Sequence, residues 1–431
     1  MALSEKELAV VAEIDKRAEK ICELGERIFN NPELGYREFN TSAEMKAAFE
    51  ALSLFVADNL ALTGISATVG DGKDFHLAIM GELDSVICPA HPKAKATGEA
   101  HACGHAYQLA ALYGAACGLV GSGVEDTLDG TISFLCVPAE EYIDLDYRRS
   151  LRKEGKIKYF GGKQQLIYEG VFDDIDAAMM VHAQPDSYDR SVFVHADSLG
   201  FLEKQMTFKG KAVHASKPYD GINALNAAAL AIIGMHVNRE RFREQDKIKV
   251  HPIITKGGDV VNSVPDNVVM DCYVRGATME AIKGASADTD RAVKGASQMV
   301  GAEVDIHTEM GYLPFCQDHA LGEIFAEVAS EFVGEDEIKR NVPMTGSSDV
   351  GDLCHLIPCI QPMVSGFTGQ LHSAQLSVHD VNAAVILPAK IMAVTAIRLL
   401  ENGAARGKAI KANFKPRLTK KEYLELLDNA N

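Results

Sequence analysis

The chain has 431 residues, with 43 Lys and Arg against 60 Asp and Glu, so its net charge is −17 with histidine neutral. A content of 47% hydrophobic and 24% charged residues is typical of a folded protein of two or three domains, and it excludes a disordered or fibrous chain. The negative charge and the lack of a Lys/Arg run argue against nucleic acid as a partner. We expect no membrane insertion, because the apolar stretches are shorter than the roughly 20 residues of a spanning helix.

The N-terminal segment and the cysteines both favour a cytoplasmic protein. The first twenty residues are charged from residue 5 onward and contain no apolar signal-peptide core, so we expect no secretory leader. The nine cysteines are odd in number, scattered, and mostly surrounded by apolar residues, as Cys136 is. This pattern predicts reduced thiols and no disulfide framework.

Helices and apolar strands alternate in the first third of the chain. Ser4 and Glu7 form a capping box before a helix that ends at 30–32, and 41–54 predicts a second helix. The predicted strands are 65–69, 77–80 and 131–137, with a helix of small residues at 109–119 between the last two. Because strands that are apolar on both faces alternate with helices in α/β domains, we predict a mixed, largely parallel sheet flanked by helices.

The middle of the chain has the order β-α-β-β-α-β, which is typical of a ferredoxin-like unit. The predicted strands are 201–208, 248–255, 264–274 and 303–309, and the predicted helices are 221–241 and 279–300. We therefore predict a catalytic domain in two parts, 1–190 and 309–431, with an inserted ferredoxin-like α+β lid domain at 191–308. A second capping box, Thr419 to Glu422, predicts a short C-terminal helix.

Four clusters of polar side chains follow apolar runs, where α/β proteins place their ligands. They are Gly81–Asp84, His101–His105, Pro138–Glu141 and Met179–His182. Taken singly, the first is more often a turn, the third is equally often a solvated loop, and the lone histidine of the fourth is more often a core or surface residue. The dense H-x-C-x-H of the second favours a metal, since Cys and His bind divalent transition metals.

Together the clusters supply several histidines, one cysteine and several carboxylates from separate strand ends, which is the donor set of a hydrolytic metal centre. Glu140 and Glu141 are adjacent, so their side chains diverge. One can bind a metal while the other stays free as a base.

These residues resemble the M20 metallopeptidase family, and within it the amidohydrolase branch. The motifs are N-P-E-L-G at 31–35, H-A-C-G-H at 101–105, P-A-E-E at 138–141 and L-H at 371–372. The segments 81–84 and 347–352 resemble the aminobenzoyl-glutamate hydrolase and β-alanyl dipeptidase-like subgroup more than the auxin-conjugate and hippurate hydrolases.

The resemblance implies a divalent metal cofactor, two ions per subunit, with Zn or Mn expected and Co or Ni as further candidates. The implied ligands are Cys103, His105, Glu141, His182 and His372, with Cys103 able to bridge the two ions. Glu140 would be the general base that takes a proton from the attacking water and returns it to the leaving nitrogen. Asp84 would orient the site.

The resemblance also implies roles for three residues of the lid. His214 would reach the active site of the partner subunit and stabilise the tetrahedral oxyanion, which implies a homodimer formed through the lid. Asn262 and Arg275 would hold the substrate carboxylate or the developing charge. Without the resemblance, they are equally well explained as a surface histidine, a turn residue and a charge at a strand end.

The predicted function is a metal-dependent hydrolase that cleaves the amide C–N bond of a small N-acyl amino acid, aminobenzoyl-amino acid or dipeptide-like substrate. One alternative on the same scaffold is a hydrolytic deaminase of an aromatic amino acid such as an aminobenzoate. A second is a non-catalytic homologue that binds a metal or ligand. A thiol redox protein built on Cys103 is disfavoured, because the sequence has no C-x-x-C motif.

The chain departs from the family pattern at three places. Ala106 stands where the family usually has Asp or Asn, and 85–87 replace the usual Ala-Leu-Pro. Residues 142–166 form an insertion with seven Arg and Lys residues directly after Glu141. This basic segment could bind an acidic substrate or an oligomer neighbour, although a solvated segment with scattered charge is the simpler interpretation.

Overall fold

The structure is a computed structural model that describes residues 3–71, 74–185, 190–342 and 346–429. The α-helices are α1 (Glu5–Phe29), α2 (Phe39–Glu50), α3 (His105–Ser122), α4 (Leu145–Lys153), α5 (Gly162–Glu169), α6 (Ala224–Val237), α7 (Met279–Val300), α8 (His319–Val333), α9 (Val350–Leu353), α10 (Leu387–Asn413) and α11 (Lys420–Asp428). The strands are β1 (Val56–Leu60), β2 (Gly64–Val69), β3 (His76–Glu82), β4 (Val86–Ile87), β5 (Glu99–Ala100), β6 (Thr131–Val137), β7 (Ala177–Met179), β8 (His182–Ala183), β9 (Val192–Val194), β10 (Gly200–Lys209), β11 (Lys249–Lys256), β12 (Asn267–Gly276), β13 (Glu303–Met310), β14 (Ile338–Arg340), β15 (Cys359–Ile360), β16 (Met363–Val364), β17 (Phe367–Thr368) and β18 (Ser377–Val378).

Local sequence signals set the ends of the helices. At the start of α1, Glu7 N donates to Ser4 Oγ at 3.3 Å and Ser4 N donates to Glu7 Oε2 at 2.7 Å, so the predicted capping box is confirmed. Helix α3 begins earlier than predicted, at His105, because Gly104 adopts a left-handed conformation with φ of 94° and caps the helix. His105 therefore projects from the first turn of α3.

The chain divides into two compact units. The first comprises Met1–Asp197, Cys316–Met344 and Asp352–Thr419. The second, here called the lid unit, comprises Ser198–Phe315, Thr345–Gly351 and Lys420–Asn431. Each unit has its own central sheet.

The first unit is built on a six-stranded sheet in the order β1-β2-β6-β3-β7-β15. The strands β6, β3, β7 and β15 are parallel, whereas β1 and β2 form an antiparallel edge. Apolar side chains of α1, α3 and α10 are buried in the same core as those of the sheet. The predicted mixed, largely parallel sheet flanked by helices is confirmed, and the parallel strands bring the carboxyl ends of β6, β3 and β7 to one edge.

The lid unit contains an antiparallel sheet in the order β11-β12-β10-β13, with α6 after β10 and α7 after β12. This is the predicted ferredoxin-like topology. Burial alternates along β12, so that Val274 lies on the covered face while Tyr273 and Arg275 lie on the opposite, half-exposed face.

Within the described part of the chain, one helical stretch, Asn382–Asn413, is long and apolar enough to span a membrane, whereas the sequence predicted that every apolar stretch is shorter than a spanning helix. Lys390 and Arg398 interrupt its apolar run in the sequence, which is why it was missed. Its most apolar window is 89% buried inside the protein, and the helix breaks at residues 401–404. These are properties of core helices.

Candidate metal centre

The ends of three neighbouring strands and the start of one helix supply the candidate ligands. Strand β3 ends at Glu82, two residues before Asp84, and β6 ends four residues before Glu141. His182 follows β7 along the chain. Because β6, β3 and β7 are adjacent and parallel, these side chains converge, and Cys103 joins them from the start of α3.

Two groups of candidate ligands share the sulfur of Cys103. One group adds His105 and His182, the other adds Glu141 and His372, and within each group the donor atoms lie within 4.8 Å of one another. The Sγ of Cys103 lies 3.5 Å from His182 Nε2, and His372 Nε2 lies 3.0 Å from Glu141 Oε1. The structure therefore brings all five predicted ligands together, with the sulfur common to both groups.

The donor atoms fit a pair of divalent ions. Within the described part of the chain, His105 Nε2 and Glu141 Oε1 are buried and form no hydrogen bond, although charged neighbours lie at 3.2 and 3.0 Å. Such atoms keep a lone pair available for an ion. A thiolate, imidazoles and a carboxylate are the ligands of zinc and similar transition metals, and a shared thiolate allows two ions side by side.

His101, the remaining histidine of the H-A-C-G-H motif, belongs to neither group. It is buried and stacks on Phe29 with ring centroids 6.5 Å apart. Burial, with the nearby positive charge of His105, lowers the pKa of His101 to about 3, so it stays neutral.

Asp84 contacts two of the candidate ligands, His105 and Glu141. Its backbone carbonyl lies 2.9 Å from His105 Nδ1 and accepts a hydrogen bond from it. This bond turns the other ring nitrogen of His105, Nε2, toward the other candidate metal ligands. Its Oδ2 accepts a hydrogen bond of 2.8 Å from the backbone N–H of Glu141. Supporting contacts of this kind hold ligand geometry and basicity in metal sites.

Sequence reasoning did not select Glu82, which lies in a third group of candidate ligands with His105 and Glu140. Its Oε2 lies 3.2 Å from His105 Nε2, and Glu140 Oε2 lies 4.0 Å from the same atom. The other oxygen of Glu82 accepts a hydrogen bond of 2.7 Å from Lys163 Nζ, and both side chains are fully buried. Because the ammonium group of Lys163 compensates the charge of Glu82, Glu82 is suited to orienting the His105 ring.

Gln108 joins this buried pair to the rest of the site. Its Nε2 donates to Glu82 Oε2 at 3.2 Å and to the carbonyl of Val181 at 2.5 Å, while its Oε1 accepts from the backbone N–H of Glu82 at 2.7 Å. One side chain on α3 therefore connects the ends of β3 and β7. The signal available in the sequence was a single glutamine in an otherwise small and apolar helix.

The insertion 142–166 does not present all of its cations to solvent. Lys163 is buried against Glu82, and Arg148 is completely buried. Arg148 donates to the carbonyls of Phe160 at 2.6 Å, of Ala139 at 3.4 Å and of Glu141. The insertion thus supports the loop that carries Glu140 and Glu141. Because Arg148 and Lys163 are buried, they are neither solvated nor placed to contact a substrate from solvent, as the sequence had suggested.

The motif at 31–35 supports the same loops from the other side. The carbonyl of Glu33 accepts hydrogen bonds from Ser85 N at 2.8 Å and Ser85 Oγ at 2.9 Å, directly beside Asp84. A Cβ on Gly35 would lie 2.8 Å from Ala139 Cα and closer still to the guanidinium of Arg148. Only glycine allows this close approach.

The candidate ligands shift one another's pKa values toward their charged forms. Burial and Glu141 would raise the pKa of Cys103, but His105 and His182 lower it to about 6, which favours the thiolate. Burial would likewise raise the pKa of Glu141, yet His372 lowers it to about 2. The Glu141 carboxylate in turn raises the pKa of His372 to about 11.

Glu38 is a further buried carboxyl group behind the site. It accepts hydrogen bonds from Thr63 Oγ1 at 2.7 Å and from the backbone N–H of Ala139 at 2.8 Å. Burial, followed by the charge of Asp84, raises the pKa of Glu38 from 4.5 to about 8. The folded chain therefore holds a proton on Glu38 at neutral pH.

The three predicted lid residues belong to the lid unit. His214 and Asn262 lie in adjacent segments, since Ala215 N donates to the carbonyl of Asn262 at 2.9 Å, and both side chains are exposed. His214 Nδ1 accepts a hydrogen bond of 3.2 Å from Ser216 N, so the neutral ring carries its proton on Nε2. Arg275 donates to Ser347 Oγ at 2.8 Å.

Comparison with known proteins identifies the family. The model of peptidase family M20/M25/M40 matches residues 78–393. The chain belongs to this family. As an M20 protein it is a metal-dependent hydrolase, in a family whose members act on amide bonds of dipeptides or acyl amino acids.

Relatives of this M20 protein include the Xaa-Arg dipeptidase of Mus musculus, 27% identical over 95% of this chain and 92% of the relative. One of the subunits of the p-aminobenzoyl-glutamate hydrolase of Escherichia coli is 25% identical over 74% of this chain and 64% of its own. Among solved structures, the YXEP protein of Bacillus subtilis, described as a dinuclear metal-binding peptidase of family M20, has a TM-score of 0.67 at 22% identity, covering 89% and 98% of the two chains. The similarity to this solved structure shows that the two chains share a fold.

Breaking the buried Lys163–Glu82 pair tests its positioning role. Lys163→Met leaves the Glu82 carboxylate buried without its ammonium partner, which costs about 3 to 5 kcal/mol. We expect a lower melting temperature and weaker metal binding, and partial recovery of both in the Lys163→Met/Glu82→Gln double variant. The control is Lys153→Met, an exposed lysine of the same insertion, with an effect of at most about 0.5 kcal/mol. Equal melting temperatures for the two single variants would contradict the assignment.

The protonated Glu38 predicts a pH dependence of stability. Between its ordinary pKa of 4.5 and about 8, the folded chain binds a proton that the unfolded chain has released, so stability falls as pH rises through this window. Glu38→Gln removes the effect and can keep both contacts, with its oxygen accepting from Ala139 N–H and its amide donating to Thr63. From pH 6 to 8.5, the wild type should lose about 2 to 3 kcal/mol relative to this variant.

The measurement is the free energy of unfolding at the two pH values, with Glu23→Gln, which removes an exposed glutamate of α1, as the control. A pH dependence for Glu38→Gln that equals the dependence of Glu23→Gln would show that Glu38 is ionised in the folded protein.

Proposed function

We propose that this protein hydrolyses the amide C–N bond of a small N-acyl amino acid, aminobenzoyl-amino acid or dipeptide-like molecule. The observation that carries the proposal is the pair of ligand groups around Cys103 with Glu140 beside them. The Xaa-Arg dipeptidase, the N-acetyl-L-cysteine deacetylase of Bacillus subtilis and the p-aminobenzoyl-glutamate hydrolase are named for reactions at such bonds.

The proposed metal ligands are Cys103, His105, Glu141, His182 and His372, and the ions are two per subunit, zinc or manganese. When bound, the ions would lower the pKa of a water molecule and polarise the scissile carbonyl. The description of the B. subtilis YXEP protein as dinuclear supports the number of ions. Cobalt and nickel would suit the same donors.

Glu140 is proposed as the general base. It lies next to the ligand Glu141 on the loop after β6, and its Oε2 is 4.0 Å from His105 Nε2, close to the donors without belonging to the groups around Cys103. There it takes a proton from the attacking water and returns it to the leaving nitrogen, so that the amine departs neutral. A homologue that only binds metal would have no use for such a base.

His214, Asn262 and Arg275 are proposed to act on the substrate from the lid. The neutral His214 ring donates through Nε2, which suits a developing oxyanion. The planar guanidinium of Arg275 suits a carboxylate, because it binds two oxygens at once. Asn262, in the segment next to His214, adds an amide donor.

The lid is also proposed to form a homodimer. Strand β11 lies at the edge of the lid sheet and exposes Ile253 at 53%, while α6 exposes Ile233 at 59% and Val237 at 65%. A sheet edge and a helix with exposed apolar side chains offer a surface for a second copy of the chain. In such a dimer, His214 of each subunit serves the metal centre of the other.

A cytoplasmic location is proposed on the cysteines. All nine lie in the described part of the chain, and none forms a disulfide there. Thiolate ligands such as Cys103 also need reduced thiols, which the cytoplasm maintains.

Two substitutions separate the base from the ligands. Glu140→Gln should retain both metal ions and its melting temperature while lowering kcat by about 10² to 10⁴-fold, because the proton acceptor is lost. Cys103→Ala should lose metal, since it removes a donor common to both ions. Metal content is measured by elemental analysis, and turnover as amine release from N-acyl amino acids, dipeptides and aminobenzoyl-glutamate. Ammonia release from aminobenzoates would instead favour a deaminase.

The control for the cysteine is Cys117→Ala, which removes a buried thiol from the same region, in α3, without touching the metal centre. Undiminished turnover in Glu140→Gln would remove the base assignment, and unchanged metal content in Cys103→Ala would remove the shared ligand.

Mixing two inactive chains tests the shared site. His214→Ala keeps its own Glu140, and Glu140→Gln keeps its own His214, so a mixed dimer contains one complete site. After unfolding and refolding together, an equimolar mixture should regain roughly a quarter of wild-type activity, the statistical share of complete sites. Activity no higher than that of the separate variants would show that each chain is self-sufficient or monomeric.

A further inference from the structure

A cluster of positive side chains lines a groove in the lid unit, at the start of β11 and the end of β12. The groove has a volume of about 610 Å³, and Glu244 is the only carboxylate in its lining. The basic lining residues are Arg239, Arg243, Lys247, Lys249, His251 and Arg275. The groove is therefore positively charged, although the whole chain has a net charge of −17.

Four of these cations have no internal counter-charge. Arg239, Arg243, Lys247 and Lys249 form no ion pair and no side-chain hydrogen bond with any residue that the structure describes. Some other exposed cations of the lid unit are paired, for example Lys209 with Asp305, Arg241 with Asp288, and Lys256 with Asp259. Among the described residues, unpaired lysines such as Lys211 and Lys294 also occur in this unit, but the groove brings four unpaired cations together. The groove therefore concentrates positive potential that the protein itself does not neutralise.

Arg275 gives the groove an ordered anchor. Its guanidinium lies 5.2 Å from the ring centre of Phe201 and 5.5 Å from that of Tyr273, and it donates to Ser347 Oγ. Lys249 is the cross-strand partner of Arg275, so two positive side chains stand directly opposite each other. Both side chains therefore add positive charge on one face of the sheet, where an anion would be attracted by each of them.

We propose that this groove binds a small molecule that carries two or more anionic groups, carboxylates or phosphates. Its volume falls in the range of small-molecule sites. The anion is either the acidic part of the hydrolysed substrate or a free small molecule, and the recognition chemistry is the same. The first source rests on the function proposed above, with Arg275 holding the substrate carboxylate, and it selects amino acid substrates with an acidic side chain.

The test uses the metal-loaded full chain and tricarballylate, a tricarboxylate that lacks the chelating hydroxyl group of citrate. Calorimetric titration should show binding that weakens as NaCl rises from 50 to 200 mM, because salt screens exposed charges. Lys247→Gln should weaken it by about two- to five-fold and the Arg243→Gln/Lys247→Gln/Lys249→Gln variant by more than about ten-fold. The control is Lys294→Gln, the same change at an exposed lysine of α7.

Equal affinities of Lys247→Gln and Lys294→Gln, or no binding to the wild type, would overturn the proposal. The kcat/KM values for a matched acyl-glutamate and acyl-glutamine pair then identify the source. If the anion belongs to the substrate, the triple variant lowers the value for acyl-glutamate more than that for acyl-glutamine, and if it is a free molecule, their ratio stays unchanged. Failure of the wild type to cleave either substrate would refute the proposed function, while the titration still decides the groove.

Discussion

The metal centre depends on placing several carboxylates in a buried space without leaving their charges uncompensated. Glu82, Asp84, Glu140 and Glu141 all come from the adjacent ends of β3 and β6. Ionised groups are tolerated there only if cations or hydrogen-bond donors face them. Lys163, the imidazoles of the site and backbone N–H groups supply part of that compensation, and bound metal ions would supply the rest.

This constraint explains the segments that surround the centre. Arg148 and Lys163 come from the insertion after Glu141, so a cationic segment that the sequence favoured as solvated is partly buried beneath the loop that follows β6. Glu33 and Gly35 act from the opposite side through backbone contacts and close packing. Gln108, two residues beyond Ala106 along α3, donates a hydrogen bond to Glu82. The side chains of the candidate metal centre are therefore held in place by residues far apart in sequence.

Patterns of polarity predicted much of the fold, and the family resemblance supplied the candidate ligand set. Capping residues and apolar periodicity gave α1 and the ferredoxin-like order of the lid, because these signals are local. The five candidate ligands were implied by the family resemblance. Cys103, His105, Glu141 and His182 also lie in the polar clusters that follow apolar runs, whereas only the L-H motif pointed to His372. Glu82, Gln108 and Lys163 were missed as a unit, since a buried ion pair between residues 81 positions apart leaves no periodic signal. The early start of α3 depended on the left-handed conformation of Gly104, which sequence alone does not fix.

The central proposal is that the sulfur of Cys103 would be shared by two ions, and X-ray absorption at the zinc edge of the fully loaded protein tests it most directly. The proposal predicts two ions per chain, a sulfur neighbour at about 2.3 Å for each ion and a second metal at about 3.5 Å. A spectrum with one ion per chain, without sulfur neighbours, or without a metal–metal distance would contradict it.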